Sequence, residues 1–305
     1  MKGMDYRWLD ALDAVIAHGG FDKAADALFI TQSAVSQRIK QLETLVAQPV
    51  LIRESPPQPT AIGRKLLGLH RRVQLLEKEL LPELTPDGLS GPITVPIATN
   101  ADSLATWLLP ALSPLMKAQT LEINLIVDDE CRTLNRLRSG EAVVAISNEP
   151  TALKGCVAQP LGVMDYLCVC TPAFKASYFP DGLNAGAVSR APAVVFDRFD
   201  DMHTQFVSER FQLPTPGWRS HMVRSSEAFV KMAKLGVAYC LIPRLQIRQE
   251  LARGELIDLC PGDGITRHLY WHHFATESGI LAEMTSACLS YARTVFDNGK
   301  ISREV

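Results

Sequence analysis

Gln32, Ser33, Ser36, Gln37, Arg38 and Lys40 crowd into residues 32–40, interleaved with Val35 and Ile39 and followed by Leu42. On a helix, spacings of 4 and 3 bring Val35, Ile39 and Leu42 to one side and leave most of the polar set outside. These polar types share a chemistry. A Gln amide can make paired hydrogen bonds to an adenine edge, a Ser hydroxyl reads several edges, and Arg or Lys reads guanine or holds a phosphate. The set contains no nucleophile beside a base and no metal-ligand spacing. It is suited to reading the floor of a major groove rather than to catalysis.

The elements that must position this face are legible around it. Residues 6–18 carry Leu9, Leu12, Ala14, Val15 and Ile16 near one side of a helix that Gly19 and Gly20 stop. A second helix over about 22–28 turns Ala24, Ala25 and Leu28 inward, and small residues there allow close helix approach. Thr31 is placed to cap a third helix over about 32–45. Gln48-Pro49-Val50-Leu51-Ile52-Arg53 then reads as a short strand, and the Pro-broken stretch 55–60 as a tight connection, together a wing beside the third helix. Arg53 falls where a wing meets a nucleic-acid backbone. From Gly63, Leu66, Leu69, Val73, Leu76 and Leu80 step by 3, 4, 3 and 4, the pattern of a dimerisation seam. Turn residues fill 85–92 and mark a hinge.

Beyond residue 93 the pattern changes. Short apolar runs at 93–98, 121–127, 143–146, 166–170, 193–196, 237–242 and 268–271 alternate with amphipathic helices, which predicts an α/β region with a mainly parallel sheet.

The 305 residues leave room for two or three domains, and 47% hydrophobic with 21% charged content is ordinary for a globular chain. No apolar run is long enough to span a membrane, and no secretory signal is visible, so a cytoplasmic location is expected. Net charge is −2. Charges nearly balance over 1–62, and Arg64, Lys65, Arg71 and Arg72 tip the next stretch positive, so the placement of charge matters more than its sum. Seven cysteines, none before Cys131 and none in a Cys-x-x-Cys pair, read as reduced and mostly buried thiols. An α/β enzyme is disfavoured by the lack of a Gly-x-Ser-x-Gly elbow, a His-Glu-x-x-His pair, a Walker lysine loop or a Gly-x-Gly-x-x-Gly turn. His272 and His273, on opposite faces of a strand, suit packing and exposure rather than a metal; no catalytic or metal-binding residue and no cofactor is assigned. A solute-binding protein is disfavoured by the N-terminal module.

Ala24-Ala25-Asp26-Ala27-Leu28, followed by Thr31-Gln32-Ser33-Ala34-Val35-Ser36-Gln37-Arg38-Ile39-Lys40-Gln41-Leu42-Glu43, resembles the helix-turn-helix core of the LysR-type transcriptional regulators. Pro49 to Arg53, Thr60 and Gly63 match that family's wing and linker helix. Segments 100–110, 197–203, 225–229 and 254–259 resemble its ArgP/LysG branch, which answers to lysine and arginine and controls genes such as basic amino-acid exporters. The resemblance implies a winged helix-turn-helix over 1–62, a linker and dimerisation helix over 63–84, the hinge 85–92, and an effector-binding domain over 93–305. That last part would have the fold of a periplasmic binding protein, with one α/β half over 93–162 and 272–297 and another over 166–268. Implied partners are double-stranded promoter DNA, RNA polymerase and further copies in a homodimer or homotetramer. Gln32, Ser33, Ser36, Gln37, Arg38, Lys40 and Arg53 become the DNA-binding set, with Gln32, Ser33, Ser36 and Gln37 toward bases and Lys40 and Arg53 on phosphates.

Effectors in such folds lie between the halves, outside strand C-termini and beside helix N-termini. A basic amino acid needs donors for its carboxylate and carboxylates for its cations. Ser103, expected to cap a helix from about 104, Ser147, Ser225 and Ser226 are the candidates for the first task. Asp102, Asp129 and Asp197 are the candidates for the second.

Overall fold

The computed structural model describes residues 3–84, 93–118, 121–212, 218–277 and 279–296; the expected hinge at 85–92 lies outside them. Helices α1 (Tyr6–His18), α2 (Phe21–Ala27) and α3 (Gln32–Val46) enclose a core of Leu9, Leu12, Val15, Ala24, Ala25, Val35, Ile39 and Leu42. Thr31 caps α3 by accepting from the Ala34 N–H. Strands β1 (Leu51–Ile52) and β2 (Gln58–Pro59) pair antiparallel as the wing. Thr60 fastens the wing to α4 (Ala61–Leu84): its hydroxyl donates to the Pro49 carbonyl at 2.8 Å and accepts from the Gly63 N–H at 3.1 Å. The helix therefore starts two residues before the expected Gly63. A Cβ at Gly63 would stand 2.1 Å from the Val50 carbonyl oxygen, so only glycine fits this corner.

Helix α3 ends on Ala47, whose φ of +54° lies in the left-handed region that glycine occupies without strain. Ala47→Gly is expected to stabilise the protein by about 1 kcal/mol, read as a higher urea midpoint at unchanged slope. An unchanged or lower midpoint would show that strain at this cap is negligible.

In the remainder, β3 (Ile93–Thr99) pairs parallel with β4 (Leu121–Val127) and with β5 (Val144–Ser147). Two long strands follow. Strand β6 (Cys156–Cys170) and β11 (Ile265–Phe274) run antiparallel along each other and through both halves. Their register slips between Leu269 and Tyr270, opposite Gly162 and Pro160, leaving Leu161 as an extra residue. Beyond the slip, β6 carries β9 (Cys240–Pro243) and β10 (Ile257–Asp258), both antiparallel. Strands β7 (Pro192–Val195) and β8 (Arg219–Met222) form a parallel pair, joined to the rest through Ala193 and Tyr239. The sheet is thus mixed rather than mainly parallel, because the ribbon of β6 and β11 runs against its neighbours. The first ten residues of β6, and β8 and β10 as a whole, fall outside the apolar runs of the sequence.

The helices are α5 (Ala101–Ser103), a π-helical turn (Leu104–Leu108), α6 (Leu109–Lys117), α7 (Thr133–Arg138), α8 (Pro172–Tyr178) and α9 (Ala185–Arg190). They continue with α10 (Asp201–Phe211), α11 (Ser226–Lys234), α12 (Arg248–Ala252) and α13 (Gly279–Phe296). Trp107, Trp271, Met284 and Cys288 anchor the first half's core. Phe174, Phe179, Phe206 and Tyr239 anchor one face of the second, and Leu167, Val169 and Ile242 the other. His272 and His273 are both buried, so the expected exposure of one is corrected. His272 is hydrogen-bonded to the Glu149 carbonyl, and His273 pairs with Glu277 at 3.0 Å.

Helix α4 does not stand clear of this region. Gly68 and Gly140 meet backbone to backbone, each so close that a Cβ on it would lie 2.4 Å or less from the other's Cα. Arg71 donates to the Gly140 carbonyl at 2.9 Å, Arg72 covers the Phe274 ring at 3.8 Å, and Leu75 enters the first half's core. The expected seam divides. Leu66 is buried in the N-terminal core, whereas Leu69 and Leu76 are about two-fifths exposed; the side chain of Leu80 is outside the described set.

Candidate functional site

Two sites emerge, one on α3 and one between the α/β halves. On α3, Gln32, Ser33, Gln37 and Lys40 are exposed and Ser36 is half-buried. Ser33, Gln37, Lys40 and Thr44 follow one another at helical spacing on the outer side, opposite buried Val35, Ile39 and Leu42. Thr44, which the sequence reading omitted, completes this row, although its hydroxyl donates to the Lys40 carbonyl. Arg38 is half-buried and turned toward α1, in a depression that Asp5, Arg7, Trp8 and also Gln37 line. Arg53 projects from the wing with its side chain 70% exposed, 4.0 Å from Glu43. That separation in a solvated pair is too weak to hold it.

The second site is a cleft between the two halves, partly open to solvent. Five carboxylates line it: Asp102, Asp128, Asp129, Glu130 and Asp200. The sequence builds them in from strand ends. β3 ends at Asn100, whose carboxamide oxygen caps α5 by accepting from the Ser103 N–H. Ser103 is therefore not the cap; it is fully buried. β4 ends at Asp128. Asp200 caps α10 and also accepts from the Phe196 N–H at 2.8 Å.

Asp102 reaches across the cleft. Its carboxyl accepts from the Tyr166 hydroxyl at 2.7 Å and lies 2.5 Å from the Ser226 hydroxyl on α11. Ser226 has one proton and a second acceptor, Gln246 Oε1, at 2.9 Å. Burial raises the Asp102 pKa, against the lowering effect of the hydrogen bonds that Ser226 and Tyr166 donate to it. Burial, with the charges of Asp129 and Asp102 beside it, pushes Glu130 up to about 8. Burial also raises Asp200. It drives His203, another lining residue, down to about 4, so its imidazole is neutral near pH 7. Glu130 therefore holds its proton near pH 7, whereas Asp128 is ion-paired with Arg132 and with Arg136, each at 3.1 Å.

The remaining candidates lie elsewhere. Ser147 is buried and donates to the Glu130 backbone carbonyl. Ser225 caps α11 through the Ala228 N–H. Asp197 is already neutralised, by Arg132 at 2.7 Å and Arg224 at 3.0 Å. Burial opposes its ionisation, but these partners and the Phe199 N–H outweigh it and hold the carboxyl below its usual range. It ties the two halves together, since Arg132 belongs to the first and Asp197 to the second. Asp102, Asp129 and Ser226 of the expected set converge on the cleft; Ser103, Ser147, Asp197 and Ser225 do not line it. Asn100, Glu130, Tyr166, Asp200 and His203 were missed. Glu130 and Asp200 stood in acidic runs that signalled caps as readily as a site, and Tyr166 gave no signal.

Residues 6–64 match the bacterial regulatory helix-turn-helix proteins of the lysR family, and residues 87–289 match the LysR substrate binding domain. The chain belongs to the LysR family. It is therefore a LysR-type DNA-binding transcriptional regulator with an effector-binding domain. Among its relatives, the HTH-type transcriptional regulator ArgP of Photobacterium profundum is 60% identical over 96% of this chain and 98% of that protein. The crystal structure of ArgP from Mycobacterium tuberculosis superposes with a TM-score of 0.85 at 33% identity, covering 96% of this chain and 99% of that one. Full-length LysG from Corynebacterium glutamicum with bound effector Arg superposes at 0.77 with 32% identity, covering 95% and 99%. The LysR architecture accounts for both sites, a helix-turn-helix reading face and an effector cleft.

Proposed function

We propose that this regulator answers to a basic amino acid, arginine or lysine, and controls genes of basic amino-acid export or metabolism from the cytoplasm. The observation that carries the reading is the cleft lined by Asp102, Asp129, Glu130 and Asp200 beside a neutral imidazole, with Asp128 already paired to Arg132 and Arg136. Such a lining favours a ligand with more positive than negative charge. The ArgP likeness and the arginine bound to LysG support the same choice. The Asn100 carboxamide nitrogen is buried without a hydrogen-bond partner, which suits it to the ligand's carboxylate. Calorimetry with arginine, lysine, norleucine and glutamate tests the reading. Binding of the first two alone is expected; silence with both, or equal binding of norleucine, overturns it.

On DNA, Ser33, Gln37 and neighbouring Gln32 and Ser36 face bases, while Lys40 and Arg53 hold phosphates. Gln37→Ala is expected to weaken binding to the cognate site by about 1–3 kcal/mol while leaving non-specific binding unchanged. Lys40→Ala is expected to weaken both and to reduce the salt slope by about 1. Gel shifts across a salt series separate the two outcomes; equal losses on cognate and random DNA for Gln37→Ala would place that residue on the backbone instead.

The exposed Leu69 and Leu76 on α4 support a homodimer across this helix, with tetramers and RNA polymerase as higher partners. No described helix is long and apolar enough to cross a membrane.

A further inference from the structure

The turn between α2 and α3 carries the most exposed large apolar side chain among the described residues. Phe29 is 95% exposed. Its neighbours on both sides turn inward: Leu28 and Ile30 pack against the core that holds Leu9, Ala24, Val35 and Ile39. Two anchors thus hold the turn, and the ring between them is sent outward.

The backbone closes this turn as firmly as the side chains do. The Ile30 N–H donates to the Ala25 carbonyl at 3.0 Å, and the Phe29 N–H donates to the Asp26 carbonyl at 3.2 Å. This pair of bonds ends α2 in a motif whose first residue past the cap is left-handed, and Phe29 has φ +53°. Glycine takes that conformation without penalty and asparagine comes next, whereas a bulky side chain is disfavoured. The other described non-glycine residues with positive φ are Ala47 and Gln212; neither brings a large apolar side chain to it. Folding gains nothing from the ring, which is buried against nothing, and its presence strains the backbone. A single exposed apolar residue is ordinary on a protein surface. One that also opposes its own backbone points to a contact made outside the folded chain.

What the ring meets follows from its place. Two residues on, Thr31 caps α3, and Thr31, Gln32 and Ser33 are all exposed. The N-terminal residues of a recognition helix are the ones that reach base edges in the major groove. Phe29 therefore stands at the entering end and continues the face of Gln32 and Ser33. Its ring carries no hydrogen-bonding atom. Among the groups that base pairs present in the major groove, the thymine C5-methyl is the apolar one. We propose that Phe29 is a base-reading residue that packs its ring on a thymine methyl in each half-site. The proposal rests on the DNA-facing reading of α3 and adds an apolar contact beside the polar ones of Gln32, Ser33 and Gln37.

The test uses the full-length protein and a duplex that it selects from a random pool. Phe29→Gly is expected to keep or raise the thermal midpoint, because the turn loses its strain, and to weaken binding to that duplex about tenfold. Phe29→Tyr, which keeps the ring face, should bind as the wild type does. Replacing thymines one at a time by uracil removes the methyl alone. One such replacement in each half-site should weaken the wild type about fourfold and leave Phe29→Gly unaffected. Gln37→Ala is measured beside them. A loss with Gln37→Ala and none with Phe29→Gly overturns this contact while the reading of α3 stands; no loss with either overturns both. A lower midpoint for Phe29→Gly places the ring in the fold, and a changed subunit number places it between copies. Uracil effects that persist undiminished in the variant place it on the sugar–phosphate backbone. Each of these three results also overturns the proposal.

Discussion

Affinity for arginine is expected to rise on the order of a hundredfold between about pH 6 and about pH 8. Burial keeps Glu130 protonated up to about pH 8. A guanidinium or ammonium beside it needs the carboxylate, so binding below that pH must expel a proton. A ligand that releases one proton gains about tenfold in affinity per pH unit until the free group is itself ionised. Asp102 is raised in the same direction, also by burial. His203, neutral above about pH 4, adds nothing in this window. Calorimetry in two buffers of different ionisation enthalpy counts the protons directly. Glu130→Gln should weaken binding near pH 8 and flatten the pH profile. The wild-type stability without ligand should move oppositely. Glu130 binds its proton more tightly folded than unfolded, so its contribution is full below the unfolded value of 4.5 and is lost as pH rises toward about 8. The thermal shift given by arginine should therefore be largest near pH 8. A dissociation constant independent of pH, with no proton released, would remove the protonated cleft from the account.

Gly68→Leu is expected to abolish the effect of the ligand on DNA binding while leaving DNA affinity nearly intact. Gly68 lies in the helix between the reading module and the cleft, and its backbone touches that of Gly140. Its φ is not unusual, so a side chain there leaves α4 free to form and strengthens its helical preference. What the leucine cannot do is fit: its Cβ alone would lie 2.4 Å from the Gly140 Cα. Overpacking of this kind costs about 1–3 kcal/mol, which the chain can relieve by moving α4 away from the first half. The Arg71, Arg72 and Leu75 contacts would go with it. Arginine should still bind by calorimetry, but footprints with and without arginine should coincide. A ligand-dependent footprint in the variant would show that the signal passes elsewhere.

The DNA-reading module was largely legible because its signals are local. Thr31 caps, Val35, Ile39 and Leu42 repeat at helical spacing, and the wing is bracketed by prolines. Arg38 shows the limit, since a position between core and outer face can turn either way and Asp5 lies on its side. The cleft was legible as a set of strand ends but not as a set of contacts. Asp197 had the right type and place, yet Arg132 and Arg224, distant in sequence, consume its charge. Tyr166 matters because it stands where β6 passes between the halves, a fact of topology. The seam on α4 read as continuous because periodicity does not reveal that Leu66 turns into the N-terminal core while Leu69 and Leu76 stay exposed.

The slipped register of β6 and β11 bears on how the halves move. A pair of strands resists shear, because sliding breaks its hydrogen bonds, but it tolerates rotation about its own length, and an unpaired residue concentrates that rotation. Here the extra residue is Leu161, next to Gly162 with φ +145° and against Phe296 of α13. The soft coordinate of the sensing domain is accordingly torsional. The cleft walls are expected to turn past each other like the two ends of a wrung ribbon, with α13, which meets the ribbon at Gly162, turning with it.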